Sequence, residues 1–378
     1  MQKYDVIVIG CGGMGSAILY ALADRGASVL GIDQHQPPHN RGSSHGQSRI
    51  IRQAYFEHPD YVPLLLEAYR GWADLEERTG QSLLHQIGLL QVGPPDGFLI
   101  RGVLASAETH SLPIEKFSGR EIERRFPGFQ AEDDVVGLFE QRAGYLLVEE
   151  AIRAYLLEAE RAGGVFRVFP EPCRWRVEDT GVRVDVDGQV FFADQLVVAA
   201  GSWTDRLINR LGVTLQVVRK HVYWFDNQSS KYRDGSPVFF FETPQGYFYG
   251  FPQLDQRGVK VADHRGGEPV DDPDFLEIGA DQEDQRRAKA FLRKHLPDVS
   301  GRVMDHQVCM YTRSPDEHFI VDRHPDHREV AFVAGLSGHG FKFAPVLGNA
   351  LADMILEGES KLPIGFFSLR RFAEPKTN

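Results

Sequence analysis

The sequence predicts a mixed α/β (α+β) fold, in which a parallel-sheet half is interleaved with an antiparallel, β-rich half. Three observations predict it. The chain opens with a strand–turn–helix–strand pattern over residues 4–33. A short apolar run at 196–200 leads into Gly201-Ser202-Trp203, as a later strand returning to the same sheet would. Between them and the C-terminal part, residues 217–261 alternate with many aromatics, the pattern of half-buried antiparallel strands.

Length and charge set the outer limits. The chain has 378 residues, 42% hydrophobic and 25% charged, enough for two domains. A net charge of −11 argues against nucleic acid or an anionic membrane as partner. Three separated cysteines, Cys11, Cys173 and Cys309, make no disulfide framework and fit a reducing compartment. The first strand follows Met1 with no charged leader, and no apolar run is long enough to span a bilayer. The expectation is a cytoplasmic protein acting on a small molecule.

Residues 4–9 read as a buried parallel strand. Gly10-x-Gly12-x-x-Gly15 follows, then a helix over 16–25 ended by Gly26, then a strand over 27–32 closed by Asp33. In this pattern the first glycine permits a tight turn, the second a close approach to a pyrophosphate, and the third helix–strand contact. The helix start offers amide donors to phosphate, and Asp33 can accept from ribose hydroxyls. The motif predicts dinucleotide binding and leaves FAD and NAD open.

Residues 34–48 form a polar loop containing His35, His39 and His45. Pro37 and Pro38 prevent a helix that would align the first two, and no cysteine or carboxylate pair completes a metal site, so none is expected. Arg49 and Arg52 follow, interleaved with isoleucines. Their spacing suits surface arginines with buried stems as well as a functional pair.

Further helices are expected at 61–79 (ended by Gly80), 96–109, 119–125, 148–162, 283–296 and 343–356, with a helix starting at Gly201. A strand is expected at 87–92. Meander strands are expected at 174–177, 181–187 and 190–192, with Asp187-Gly188 as a hairpin turn. Strands return at 301–312, 319–322 and 330–334. Segments 1–85, 145–215 and 305–378 then form the nucleotide half, and 86–144 with 216–304 the second domain. A ligand would lie between them, at the carboxyl ends of the parallel strands.

Several motifs now stand together: Gly10-x-Gly12-x-x-Gly15, the loop from Gly42 through Gly46-Gln47-Ser48-Arg49 to Arg52, Tyr249-Gly250-Phe251-Pro252, Cys309-Met310-Tyr311-Thr312, and Ser337-Gly338-His339-Gly340-Phe341-Lys342. With them the chain resembles the monomeric sarcosine oxidase family, which includes N-methyltryptophan oxidase and the sarcosine/pipecolate oxidases, over nearly its whole length. The resemblance implies an FAD-binding Rossmann-like domain with an interleaved substrate domain, in a monomer. It implies FAD linked through Cys309 and held by Gly10, Gly12, Gly13, Met14, Gly15, Asp33, Gln34, Gly42, Ser43, Ser44, Ser48, Arg49, Gly338, Gly340 and Lys342. It implies that Arg52 and Lys342 hold a substrate carboxylate, that Lys260 and Arg49 flank the flavin, and that Tyr249, His264 and Tyr311 line the pocket. The implied reaction oxidises a secondary amino acid to an imine, with O2 reduced to H2O2.

The residues alone give plainer readings. Lys260 between Val259 and Val261 reads as an exposed strand lysine, and Cys309 as a buried apolar thiol. Lys342 is different: a lysine near a helix N-terminus opposes the dipole and should meet an anion. Around His264, Ala262-Asp263 replaces the family's usual Gly-Tyr, which predicts altered pocket charge. Two other functions remain open at this point: a flavin dehydrogenase passing electrons to a partner protein, and a non-catalytic dinucleotide-binding protein.

Overall fold

The computed structural model describes residues 3–208, 211–233 and 235–373. The last residues of the expected nucleotide half, 374–378, lie outside them. Two large sheets and one small one organise the chain.

The first sheet has eight strands. Strand Lys3–Ile9 pairs in parallel with Val29–Asp33 on one side and Gln189–Val198 on the other. Val165–Val168 and Val330–Ala334 extend the parallel order at either end. Helices Gly13–Asp24, Val148–Arg161 and Ala344–Leu356 cover one face and share a core with Trp72, which is fully buried. The strands are near-continuous apolar runs because both of their faces are covered.

One expectation is corrected here. Residues 190–192 and 196–200 were expected as separate strands, yet Gln189–Val198 is one strand. Its first half pairs antiparallel with Gly181–Val186. Its second half continues in parallel beside Val330–Ala334. The polar break at Asp194-Gln195 looks like a boundary in sequence, but the backbone ladder runs through it. The helix expected at Gly201 is also short: one 3-10 turn, then Thr204–Leu207.

The second sheet has nine strands. Strands Gln216–Asn227, Val259–Asp263, Gly246–Phe251 and Val238–Thr243 pair antiparallel in that spatial order. Val299–Arg313 lies along the other edge of Gln216–Asn227. The sheet is not wholly antiparallel: Val238–Thr243 pairs in parallel with Leu89–Gly93. The alternation of side chains is the same in either direction, so periodicity could not reveal this. A small sheet of Ser48–Ile51, Gly144–Leu147 and Leu84–His85 bridges the two halves.

Candidate active site

A cavity of about 560 Å³ runs from Gly10 and Asp33 to Tyr249, His264 and Lys342. Such a volume suits a cofactor or ligand site. At its first end the glycine turn is shaped for a bound group. A Cβ on Gly12 would meet no protein atom within 4 Å, so that position faces open space. A Cβ on Gly15 would lie 1.6 Å from the Gly10 carbonyl oxygen, which is why helix and strand can approach so closely. The helix Gly13–Asp24 starts without a side-chain cap. Asp33 accepts from the Cys11 and His35 amides, at 2.7 and 3.0 Å, which fixes its carboxylate at the end of its strand. This cradle fits the pyrophosphate and ribose of FAD.

At the other end three cations and one carboxylate meet. Arg52 gives Nη2 to both Glu57 oxygens at 2.7 Å, and its guanidinium stacks 4.4 Å from the Tyr55 and Phe56 rings. Its Nε is buried without a partner. Glu140 fixes the following turn by accepting from the Gln53 and Ala54 amides. Burial pushes the Glu57 carboxyl up, but Arg52, His339 and Lys342 outweigh it and the net shift is downward. Arg52 and Glu57 therefore cancel.

Lys342 and Arg49 are left as the uncompensated cations of this group. Lys342 Nζ is buried and donates to the His339 carbonyl at 2.6 Å and to Tyr55 Oη at 3.3 Å. Burial holds its pKa well below that of a free lysine, with Arg52 adding to the shift. Its own carbonyl accepts from Trp72 Nε1 at 2.9 Å, tying it to the core. His339 Nε2 lies 3.0 Å from the Glu317 carbonyl and Nδ1 2.6 Å from Tyr55 Oη. A neutral ring donating from Nε2 accepts from Tyr55 at Nδ1, which leaves the Tyr55 oxygen to accept from Lys342. Gly338 permits the turn: its φ is +82°, and a Cβ there would lie 2.3 Å from the Tyr311 ring.

Beside these cations stands an aromatic wall. Tyr249 and Tyr311 touch through their hydroxyls at 3.5 Å. The His264 ring lies 5.7 Å from Tyr311 and 5.8 Å from Phe240. Burial, reinforced by His339, Lys220 and the cavity cations, keeps its pKa well below the usual histidine value. The Asp263 carboxylate does not join this wall. It accepts from the Tyr247 and Arg265 amides and pairs with Arg287, and its charge reaches the pocket as a small upward pull on Tyr249.

Arg49 lines the cavity, its guanidinium held by the Ser43 and Ser48 carbonyls at 2.7 and 2.9 Å. Gly15, Ser48, Lys260 and Cys309 are not on the cavity wall; the other expected site residues are. Lys260 is neither exposed nor free. Its Nζ donates to the Gly46 and Ser48 carbonyls at 2.6 and 2.9 Å and to Ser48 Oγ at 3.2 Å, behind the strand that carries Arg49. Cys309 is buried beside Tyr311 in one apolar cluster, two residues away on the same strand face. Tyr55, Glu57 and Phe240 were missed by sequence reasoning. For Tyr55 and Glu57 the one signal was the aromatic and charged run after Arg52, and for Phe240 the aromatic strand 239–241, which reads equally well as core.

Two buried histidines predict a pH response. Burial lowers His45 to about 4, with Arg49 adding to it, and lowers His339 to about 4 against the pull of Glu57. The unfolded value is about 6.5. Between these values the unfolded chain binds protons that the folded chain does not. Stability is therefore complete above about pH 6.5 and falls as the pH drops toward about 4, by roughly 2–3 kcal/mol per histidine. Urea unfolding across this range should show the loss, and His45→Gln should remove the share that His45 contributes, leaving that of His339. An equally steep profile in the variant rejects this origin.

Residues 5–354 match the family described as FAD dependent oxidoreductase. A monomeric sarcosine oxidase of Streptomyces avermitilis is 42% identical, covering 98% of each chain. An N-methyl-L-tryptophan oxidase of Salmonella dublin is 36% identical, covering 99% of this chain and 100% of the other. Among solved structures, the open form of NikD, an unusual amino acid oxidase essential for nikkomycin biosynthesis, superposes with a TM-score of 0.87 at 27% identity, covering 97% of this chain and 98% of the other.

Proposed function

The chain belongs to the FAD dependent oxidoreductase family, and from that premise we propose that it is an oxidase of secondary amino acids: sarcosine, other N-methyl amino acids, or cyclic imino acids such as pipecolate and proline. The observation that carries this reading is Lys342, an uncompensated buried cation at the aromatic end of a cavity whose other end is the glycine cradle. FAD, when bound, would supply the acceptor for the two electrons that leave with the hydrogens of the Cα–H and N–H bonds as the C–N bond becomes C=N, and O2 would take up those two electrons and two protons as H2O2.

The chain's own residues do the rest. Lys342 and Arg52 orient the substrate carboxylate, the first as a point charge and the second through the guanidinium that lines the cavity beside Glu57. Tyr249, Tyr311 and Phe240 exclude water and pack the substrate's apolar part. His264, kept neutral by burial, offers a ring nitrogen that accepts from the substrate amine. The cations around it favour the neutral amine, the form that can be oxidised. Arg49 and Lys260 supply fixed positive charge where negative charge develops. In Lys260 that charge acts from behind the Gly46–Ser48 backbone.

Titrating the yellow holoprotein anaerobically with these amino acids should bleach its visible absorption, and aerobic turnover should release H2O2. No bleaching across the panel overturns the reading.

Cys309 is the proposed thioether tether to FAD. Its place beside Tyr311 and the charge of neighbouring Arg49 support it. Acid precipitation should leave the flavin in the pellet for the natural protein and in the supernatant for Cys309→Ser. Flavin in the supernatant in both rejects the tether. The proposed division into a nucleotide half (1–85, 145–215, 305–378) and a substrate half (86–144, 216–304) follows sheet membership, with strand Val299–Arg313 crossing the last boundary. The reading also takes the protein as a cytoplasmic monomer. Among the described residues no helix is long and apolar enough to cross a membrane.

A further inference from the structure

A second polar cluster lies away from the cavity, on the other face of strand Gln216–Asn227. Side chains alternate along this strand, so His221 shares a face with Arg219 and Tyr223, while Lys220 points the other way toward the Arg265 carbonyl. His221 is 5% exposed. Its Nδ1 is engaged by His306 Nε2 at 2.9 Å, and its Nε2 is buried with no partner. Glu268 and Asp281 close on it from two other elements. One ligand atom from each of the three residues lies within 4.8 Å of the others.

We propose that His221, Glu268 and Asp281 form a binding site for a divalent transition-metal cation such as Zn²⁺. One imidazole nitrogen and two carboxylates form a common ligand set for such an ion, with water completing the shell. His306 stands behind His221 as the outer partner that orients a ligating ring. Arg219 pairs with Glu268 and, at 3.2 Å, with Glu277. It thereby offsets part of the acidic charge, and Glu268 keeps its second oxygen for the ion.

The position gives the site a consequence. Glu268 and Asp281 are the two ends of the 268–281 loop. In its middle, Asp274 accepts from Trp203 Nε1 at 2.7 Å and from Arg206 Nη1 at 2.6 Å, and all three residues line the cavity. An ion at His221 would staple the base of a loop that borders the cavity. Phe275, 81% exposed on that loop, reports its opening.

The test uses the holoprotein, stripped with a chelator and dialysed against Zn²⁺. The natural protein should retain one equivalent, and Zn²⁺ should slow chymotryptic cleavage after Phe275. His221→Ala and Asp281→Asn should each lower the affinity at least tenfold and abolish the protection. Should His221→Ala fail to fold, judged by its flavin content, Glu268→Gln decides, because Glu268 is exposed and outside the core. No retained Zn²⁺ in the natural protein, or retention undiminished in the folded variants, overturns the site.

Discussion

Lys342→Met should weaken binding of carboxylate ligands by about 2–4 kcal/mol, roughly 30- to 700-fold. Arg52 is already neutralised by Glu57 at 2.7 Å, so without Lys342 only Arg49, its guanidinium already held by two backbone carbonyls, is left at the aromatic end of the cavity to meet an anion. Methionine fills similar space, and the Trp72 bond to the backbone carbonyl at 342 survives the change. The loss should therefore appear in the dissociation constant of an amine-free carboxylate, followed by its perturbation of the flavin spectrum, with little change in thermal stability.

The same lysine predicts a pH dependence. Burial depresses its pKa in the ligand-free site, and a bound carboxylate raises it again. Binding then takes up a proton, and affinity falls as the pH rises through the free-site value. That slope should vanish in Lys342→Met. Unchanged affinity in the variant removes Lys342 from the carboxylate site.

The second large effect separates two glycines three residues apart. Gly15→Ala places a Cβ 1.6 Å from the Gly10 carbonyl oxygen. That atom is backbone, so the helix itself must shift, at a cost of about 3 kcal/mol or more. The variant should lose both stability and flavin. Gly12→Ala places its Cβ in open space, at an ordinary negative φ of −70°. Its ψ of −150° lies just outside the broad β region, so the flavin-free protein should lose about 1 kcal/mol, well short of the loss in Gly15→Ala. Yet the methyl would occupy the space assigned to the pyrophosphate, and flavin affinity should fall at least about a hundredfold, some 2.7 kcal/mol. Thermal melting and the ratio of visible to ultraviolet absorbance measure both. A Gly12→Ala protein with full flavin content would show that the cradle is not the phosphate site.

What could be read in sequence was what is local. The Gly10–Asp33 unit depends on contacts within one strand–helix–strand, and its elements stand in the expected order, with the helix starting at Gly13, three residues earlier than expected, and the second strand at Val29, two residues later. The same holds for the hairpin at Asp187-Gly188, where both residues have positive φ. Strand direction and continuity were less legible. The Leu89–Gly93 pairing is parallel, and Gln189–Val198 is continuous, because the partner strand decides both.

The sequence by itself determined the glycine cradle, the family resemblance, and the need for an anion near Lys342. Each of these follows from residue type at short spacing. Only the tertiary structure decided that Glu57 cancels Arg52, that Tyr55 and His339 hold the lysine in place, and that Asp263 turns away to Arg287. It also decided that Lys260, which reads as an exposed strand lysine, is buried with its ammonium bound to two backbone carbonyls. The physical reason is common to all four. The energy of a charge depends on its dielectric surroundings and on partners within a few ångströms. For Lys260 those partners lie more than 200 positions away in the chain, where spacing and periodicity carry no information.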